Sequence, residues 1–178
     1  LILIPSIFFS VRWLMILRHN TYVEAGKWIE NYVATDQIIY SFDNVLYAPL
    51  SYEAAVWNKE SNKMTELKKI NYIIEHKDYF QSKGVNLMYD KNYNRYEKLA
   101  GKETKYLVIT YGKSGDKTDI LGKLQKYHQL ELVQFFYPTK NAGLVESDLE
   151  DYLNNPSTLI GLLYLRGSGP FVEIYKII

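Results

Sequence analysis

Cysteine is absent from this sequence of 178 residues, which excludes disulfides, cysteine-ligated metals and thiol nucleophiles. Histidine is scarce, and His19, His76 and His128 stand too far apart to form a cluster with metal-ligand spacing. The formal net charge is only +1, and lysines are interleaved with acidic residues. The chain therefore lacks the clustered basic excess of a nucleic-acid-binding protein, and we expect no nucleic-acid partner.

The sequence also lacks a recognisable catalytic constellation. Gly112, Lys113 and Ser114 lie between a predicted strand and a predicted helix, as a phosphate-binding loop would. A Walker A loop needs glycine where Leu107 stands, so a solvated turn is the better interpretation. Asp43 follows a predicted strand, a common site position in α/β folds, but no glycine-rich turn lies beside it. We predict no catalytic residue and no metal ligand.

The clearest structural signal is a helix followed by a strand in residues 21–42. Thr21 and Glu24 have the spacing of a capping box at a helix start. Apolar residues then recur at helical spacing as far as Tyr32. Residues 37–42 form a β-rich run of strand length. A helix that packs on the strand it precedes indicates an α/β layer architecture.

Apolar runs and turn signals place the remaining elements. We predict helices at 50–57, 63–69, 117–127 and 147–153, and strands at 70–74, 105–111 and 130–137. Residues 159–165 and 171–178 are two apolar runs joined by a glycine-rich turn, which predicts a terminal hairpin. The predicted fold is α/β: a small central mixed sheet flanked by helices, α/β/α-like, with a C-terminal β-hairpin.

Residues 1–17 are apolar at 13 of 17 positions. As a helix they would span roughly 25 Å, slightly less than the hydrocarbon core of a bilayer. Two interpretations stay open: the end of a transmembrane helix that begins upstream, or a buried helix or strand of a soluble protein. Pro5 and Arg12 weaken the first, and the nearly continuous apolarity weakens the second. We favour a membrane-helix stub in residues 1–19, followed by a single soluble α/β domain in residues 20–178.

Aromatic residues supply the only candidate binding positions. The chain has 17 tyrosines, an excess that compositional bias of the source genome explains in the simplest way. Tyr47, Tyr52 and Trp57 are the candidate substrate-binding residues, since they could line a groove for a sugar or a lipid. Packing of an aromatic helix face into the core is the competing interpretation of the same three residues.

Three short segments resemble a known family. The first is a hydrophobic helix followed by Tyr22-x-x-Ala25-x-x-Trp28-Ile29-x-x-Tyr32 and the strand Ile38-Ile-Tyr-Ser41; the others are Tyr106-Leu-Val-Ile109 and Phe171-Val-x-Ile-Tyr-Lys176. Together they resemble the C-terminal extracytoplasmic domain of GT-C-type membrane glycosyltransferases, especially the dolichyl-phosphate-mannose–protein mannosyltransferase-like and aminoarabinose-transferase-like enzymes. The tryptophan-tryptophan-aspartate signature of oligosaccharyltransferases is missing.

The resemblance implies a multi-span parent enzyme that transfers a sugar from a polyprenyl-phosphate donor. Its catalytic acids would lie far upstream, so none is carried onto this chain. The parent would be a transferase of the cell membrane, with residues 20–178 on the extracytoplasmic side and the membrane reached through residues 1–17. The resemblance implies no cofactor in this fragment and allows a divalent metal in the parent.

We therefore expect a non-catalytic tail domain of such an enzyme. A membrane-tethered or secreted binding module for carbohydrate or a cell-envelope partner is the alternative. A small-molecule enzyme with perturbed acids near Asp43 is the third hypothesis.

Overall fold

The computed structural model describes residues 3–42, 48–62, 67–80, 83–89, 104–111, 114–138 and 165–178. The helices within these ranges are α1 (Leu3–Arg18), α2 (Thr21–Tyr32), α3 (Tyr52–Asn62), α4 (Leu67–Glu75), α5 (Lys77–Phe80) and α6 (Ser114–Leu124). The strands are β1 (Ile38–Ser41), β2 (Asn86–Tyr89), β3 (Thr104–Tyr111), β4 (Leu130–Phe136) and β5 (Phe171–Ile177).

The five strands form one mixed sheet in the order β2-β1-β3-β5-β4. β1 pairs in parallel with β2 and β3, whereas β5 is antiparallel to both β3 and β4. Because β3 and β4 are each antiparallel to β5, they run in the same direction. The carboxyl ends of β1, β2, β3 and β4 therefore lie at one end of the strands. We call this end of the sheet the carboxyl edge.

Helices cover both faces of this sheet. On one face α2 contributes Ala25, Ile29 and Val33, which pack against alternate residues of the strands: Ile39, Leu87, Val108, Val172 and Ile174. On the other face lie α6, through Leu124, and Trp57 of α3. The apolar spacing in α2 matches the period of a helix with one buried face. The predicted mixed sheet flanked by helices is confirmed, and so is the helix–strand unit of residues 21–42.

The start of α2 differs from the predicted capping box. Asn20 is the N-cap, and its side-chain oxygen accepts hydrogen bonds from the backbone N–H groups of Tyr22 and Val23. Thr21 instead donates its hydroxyl to the carbonyl oxygens of Ser168 and Pro170. The capping prediction was wrong because a contact with the end of the chain takes the threonine hydroxyl, and the adjacent asparagine satisfies the helix.

The apolar run at residues 70–74 was predicted as a strand and is helical. Ile70 and Ile73 are buried within α4 and pack against Ala55 of α3. A short apolar run fits a strand and a buried helical turn equally well, so its period could not decide. The contact with α3 favours the helix, because Ile70 and Ile73 of one helix face pack against Ala55.

β2 had no counterpart in the sequence prediction. Two of its four residues are hydrogen-bonded to the side chain of Asn58 in α3, which is 2% exposed. The Asn58 side-chain amide donates to the carbonyl oxygen of Leu87 at 2.9 Å, and its oxygen accepts from the backbone N–H of Tyr89 at 2.8 Å. β2 is an outer strand of the sheet, and the Asn58 side chain bonds backbone groups that a further strand would otherwise bond.

The predicted C-terminal hairpin was wrong. β5 lies between β3 and β4 and pairs with each along its length, so it has no edge left for a hairpin partner. Residues 159–164 and the predicted helix at 147–153 lie outside the described residues. The apolarity of the last strand reflects a central position in the sheet, where both faces are covered.

α1 holds 16 residues and leaves much of its apolar surface exposed. Ile16 is fully buried and packs with Leu165, and Phe9 and Trp13 pack beside them. In the described part of the chain, no helix is both long enough and apolar enough to cross a membrane. The expected transmembrane stub in residues 1–19 therefore gains no support from the described residues.

The corner between α1 and α2 is in close backbone contact with residues 167–169. Ser168 donates its N–H to the carbonyl oxygen of His19 at 2.7 Å and accepts from the N–H of Thr21 at 3.0 Å. A Cβ at position 167 would collide with the His19 carbonyl oxygen. Gly169 has φ +99°, and a Cβ there would stand 2.5 Å from the Thr21 hydroxyl oxygen. Only glycines allow this approach.

We predict that Gly167→Ala lowers the free energy of unfolding by about 2 kcal/mol, since the added methyl meets backbone rather than a movable side chain. Gly122→Ala in α6 is the matched control. Its added Cβ meets nothing within 4 Å, and alanine in a helix interior should raise stability by roughly 0.5–1 kcal/mol. Urea unfolding of both variants measures the difference. Equal effects would mean that the corner contact is not tight.

Candidate functional site

The most unusual group in the described core is the side chain of Glu173 in β5, which is 0% exposed. Three tyrosine hydroxyls donate to its carboxylate. Tyr111 and Tyr137 reach Oε1 at 2.9 and 2.5 Å, and Tyr175 reaches Oε2 at 2.5 Å. A buried carboxylate is costly unless hydrogen bonds replace its hydration, and here both oxygens are bonded. We call these four residues the Glu173 cluster.

Strand alternation explains how the sequence assembles this cluster. Glu173 and Tyr175 are two residues apart, so both side chains point to the face that carries α6. β3 pairs antiparallel with β5 and places Tyr111 opposite Phe171, next to Glu173 on the same face. Tyr137 follows the last residue of β4, the other neighbour of β5. Three adjacent strands therefore each deliver one phenol to a single carboxylate.

Aromatic packing holds the phenols in place. The ring of Phe171 stacks on that of Tyr111 with centroids 5.1 Å apart, and meets the ring of Tyr137 edge-on at 5.3 Å. The ring of Phe135 also stacks on that of Tyr137, with centroids 4.7 Å apart. The tyrosine hydroxyls are thus oriented by rings that pack on one another.

Burial and the carboxylate keep all three phenols protonated. Burial, followed by the hydrogen bond to Glu173, raises the pKa of Tyr137 to about 12. Burial is also the main reason why the pKa values of Tyr111 and Tyr175 lie far above their usual range, and the charge and hydrogen bond of Glu173 add to it. The cluster is therefore a stable set of donors around one acceptor.

Tyr137 also belongs to the wall of an open cleft of about 400 Å³. The cleft lies at the carboxyl edge, where β4 ends beside the start of α2. Its lining combines aromatic, charged and small residues: His19, Thr21, Glu24, Phe135, Phe136, Tyr137, Arg166 and Gly167. The cleft lies outside the carboxyl end of the outer strand β4, on the side of the sheet where open α/β sheets bind ligands. We call it the carboxyl-edge cleft.

Three of the polar side chains that line the cleft reach solvent: His19, Glu24 and Arg166. His19 Nδ1 lies 3.0 Å from Glu24 Oε1. The side chains of His19 and Glu24 are 66% and 43% exposed. Arg166 is exposed, and its backbone N–H donates to the carbonyl oxygen of Pro138 at 2.7 Å. The cleft therefore presents both hydrogen-bond donors and acceptors.

The aromatic residues singled out in the sequence have separate surroundings. Tyr47 and Asp43 lie outside the described residues. Tyr52 is half-buried, with the Lys77 ammonium 5.3 Å from its ring centroid. Trp57 is half-buried and meets Tyr40 of β1 edge-on at 5.7 Å. Trp57 thus packs toward the core, and a sugar groove formed with Tyr52 stays a prediction.

The other candidate motifs gain no site geometry. Gly112 and Lys113 fall between the described ranges, and Ser114 is the first residue of α6. His76 is exposed, and its Nδ1 lies 2.8 Å from the carbonyl oxygen of Tyr72. Across the described ranges, no group of three or more His, Asp or Glu residues is arranged to hold a metal ion.

Sequence reasoning missed the Glu173 cluster and the carboxyl-edge cleft. One signal was present, because Glu173 is a lone acid in the apolar strand Phe171–Ile177. A charged residue at a strand position surrounded by apolar ones indicates either an exposed face or a buried, paired charge. The partners could not be read from the sequence, since Tyr111 lies 62 residues away.

Comparisons of the chain with protein-family models, with curated proteins and with solved structures find no match.

We predict that stability falls as the pH rises from about 10 toward 12. Tyrosine in an unfolded chain has a pKa of about 10, whereas the folded-state pKa of Tyr137 is about 12. A group whose pKa is raised on folding contributes stability that is complete below its unfolded pKa and is lost above it. Tyr137→Phe should cost roughly 1 kcal/mol at neutral pH and give a shallower loss at alkaline pH.

Chemical unfolding at a series of pH values tests this prediction. Tyr127→Phe is the matched control, because Tyr127 is 53% exposed and stands outside the Glu173 cluster. It should follow the unsubstituted protein. The same alkaline slope in both variants would show that the hydrogen bond between Tyr137 and Glu173 does not couple folding to tyrosine ionisation.

Proposed function

We propose that the chain is a non-catalytic, extracytoplasmic tail domain of a polyprenyl-phosphate-sugar-dependent membrane glycosyltransferase, lying against the membrane through α1. The three segments that resemble GT-C enzymes motivate the parent enzyme. The observation that supports the membrane contact is the apolar surface of α1. The donor lipid, the transferred sugar and any divalent metal would belong to the parent and not to the described residues.

One face of α1 packs against Leu165 through Phe9, Trp13 and Ile16, but other apolar residues of the helix lie outside that face. Six large apolar side chains of this helix are between 46% and 61% exposed: Ile7, Phe8, Val11, Leu14, Met15 and Leu17. A helix on the surface of a globular domain normally turns such residues to the core, and a helix that is apolar on all sides has an apolar environment around it. A bilayer supplies that environment.

Two sequence features that weaken a membrane location have local explanations. Pro5 is the third residue of α1, within the first turn, where a missing backbone N–H costs no helical hydrogen bond. Arg12 donates from its guanidinium to the carbonyl oxygen of Leu165, so its charge is directed to the protein. Arg18 and His19 end the helix with polar groups suited to a membrane–water interface.

The coding sequence upstream of residue 1 tests the parent enzyme. Many apolar spans, with an acidic pair in the first outer loop, would support the glycosyltransferase proposal. A start codon within a few residues of residue 1 would contradict it. A membrane-tethered binding module for carbohydrate or a cell-envelope partner would then be the better proposal.

We predict that the chain binds phosphatidylcholine vesicles and that Val11→Asp combined with Leu14→Asp weakens binding at least about tenfold. A charged residue within the apolar part of a membrane-associated helix costs several times the ~1.4 kcal/mol that corresponds to a tenfold change. Co-flotation of residues 1–178 with vesicles measures the bound fraction.

Tyr127→Asp is the control, because it places a negative charge at an exposed aromatic position outside α1. It should bind like the unsubstituted chain. If the unsubstituted chain stays unbound, or if the α1 variant floats equally well, the membrane contact through α1 is refuted.

A further inference from the structure

We infer that α1 lies in the plane of an anionic bilayer surface and that Arg18 and Arg166 beside it bind phospholipid phosphates. The inference rests on the proposed membrane contact of α1 and deepens it, since it gives the helix an orientation and its partner a charge. The partner is the phospholipid surface itself. The orientation and the lipid charge are measured separately from the presence of binding, so the inference can fail while the membrane contact stands.

The exposed apolar residues of α1 lie on the side of the helix that is turned away from the domain. Phe9, Trp13 and Ile16 recur at helical spacing and pack against Leu165. An α-helix turns about 100° per residue, so the other side of α1 is formed by a second apolar set. These residues are between 46% and 61% exposed: Ile7, Phe8, Val11, Leu14 and Met15. We call them the exposed side of α1.

The contact with Leu165 determines how this helix can meet a bilayer. Because Phe9 and Ile16 both pack there, the domain lies beside the second half of α1 and not beyond its end. Residues 165–170 lie outside the helices and strands, and hydrocarbon does not accommodate irregular backbone. Entry of α1 along its axis would draw this segment into the bilayer. Burial of the exposed side alone, to the ~5–10 Å typical of in-plane helices, avoids that cost.

A cation lies at the end of the exposed side. The chain has no Asp or Glu before Glu24, whereas Arg12 and Arg18 both precede it. Arg12 is directed to the domain, since its guanidinium donates to the carbonyl oxygen of Leu165. Arg18 is exposed in the last turn of α1 and follows Leu14 by four residues, so it extends the exposed side with a positive charge.

Arg166 brings a second cation to the same region. It is exposed and follows Leu165, the residue on which α1 packs. It also lines the carboxyl-edge cleft with His19, the residue after α1. Within the described ranges neither Arg18 nor Arg166 forms an ion pair. The acid of the cleft lining, Glu24, lies 3.0 Å from His19 Nδ1 instead. Two guanidinium groups are therefore available to a ligand at this end of α1.

The phosphates of an anionic bilayer match this arrangement. A guanidinium group donates paired hydrogen bonds to phosphate oxygens, and an anionic surface also attracts it within a Debye length. Each basic residue near such a surface strengthens binding about fivefold. Two arginines, opposed in part by Glu24, therefore predict about tenfold tighter binding to anionic vesicles than to zwitterionic ones.

Co-flotation of residues 1–178 with vesicles tests the charge of the partner. Vesicles of phosphatidylcholine alone are compared with vesicles in which about a third of the lipid is phosphatidylglycerol. We expect about tenfold tighter binding to the anionic vesicles at low salt. The preference should disappear as the salt concentration approaches ~1 M, where charges are screened over a few ångströms.

Arginine variants show which residues cause the preference. Arg18→Gln and Arg166→Gln should each weaken binding to anionic vesicles about fivefold more than binding to phosphatidylcholine. Lys126→Gln is the matched control, because it removes the same charge from an exposed residue that precedes β4, at the end of the strands opposite to the carboxyl edge. It should bind both kinds of vesicle like the unsubstituted chain.

Single labels measure the orientation of α1, since the chain contains no cysteine of its own. Ile7→Cys, Val11→Cys and Leu14→Cys each receive an environment-sensitive fluorophore, and lipids with nitroxides at known depths quench it. An in-plane helix places these labels at equal depth. A helix that enters along its axis separates positions 7 and 14 by roughly 10 Å. A label on Lys126→Cys should stay unquenched.

Distinct results overturn the inference. Equal binding to both kinds of vesicle, or a preference that persists in both arginine variants, refutes the arginine–phosphate contact and leaves the membrane contact of α1 in place. Labels at positions 7 and 14 whose depths differ by roughly 10 Å refute the in-plane orientation. Competition by free glycerol phosphate would assign the arginines to a soluble ligand. Unquenched labels on a chain that migrates as a dimer would show that a second copy covers α1.

Discussion

The backbone contact between Ser168 and the α1–α2 corner fixes the start of α2 and the start of β5 relative to each other. Ser168 bonds to both His19 and Thr21, so the segment entering β5 is fixed against the segment entering α2. Because β5 then runs between β3 and β4, this anchor helps to set where the central antiparallel strand begins. The two glycines at 167 and 169 are required by the contact, since any side chain there meets the corner.

The Glu173 carboxylate gives the sheet a register that apolar packing alone would leave less well defined. Side chains of β5 alternate between faces, so a slip by one residue would turn Glu173 toward Ala25 and Ile29 of α2. There the charge would lie among apolar groups with no phenols to solvate it, at a cost of several kcal/mol. One buried acid and three tyrosines thus favour a single alignment of β3, β4 and β5.

The sequence was informative wherever a local period determined the structure. The apolar face of α2, the runs of β3 and β4 and the mixed α/β character follow from spacing alone. The predictions failed where the local sequence fitted two structures equally well and a contact with a distant part of the chain selected one of them. Thr21 and Asn20 are both residue types that cap helices. The Thr21 hydroxyl donates to the Ser168 carbonyl oxygen, and Asn20 caps α2. Residues 70–74 fitted a strand or a helix, and α3 selected the helix. The carboxyl-edge cleft is lined by segments more than 100 residues apart in the chain, so no local sequence pattern predicts it.

The carboxyl-edge cleft and the apolar helix occupy the same end of the domain for a topological reason. α2 connects directly to β1 and must run back along the sheet, so its first turn lies at the carboxyl edge. The last turn of α1 ends beside that point, and His19 is both the residue after α1 and a wall of the cleft. Tyr137 joins this surface to the buried carboxylate through one hydrogen bond. An apolar helix, an open cleft and a rigid core are therefore linked over a short distance, and a ligand held in the cleft would lie next to whatever surface α1 contacts.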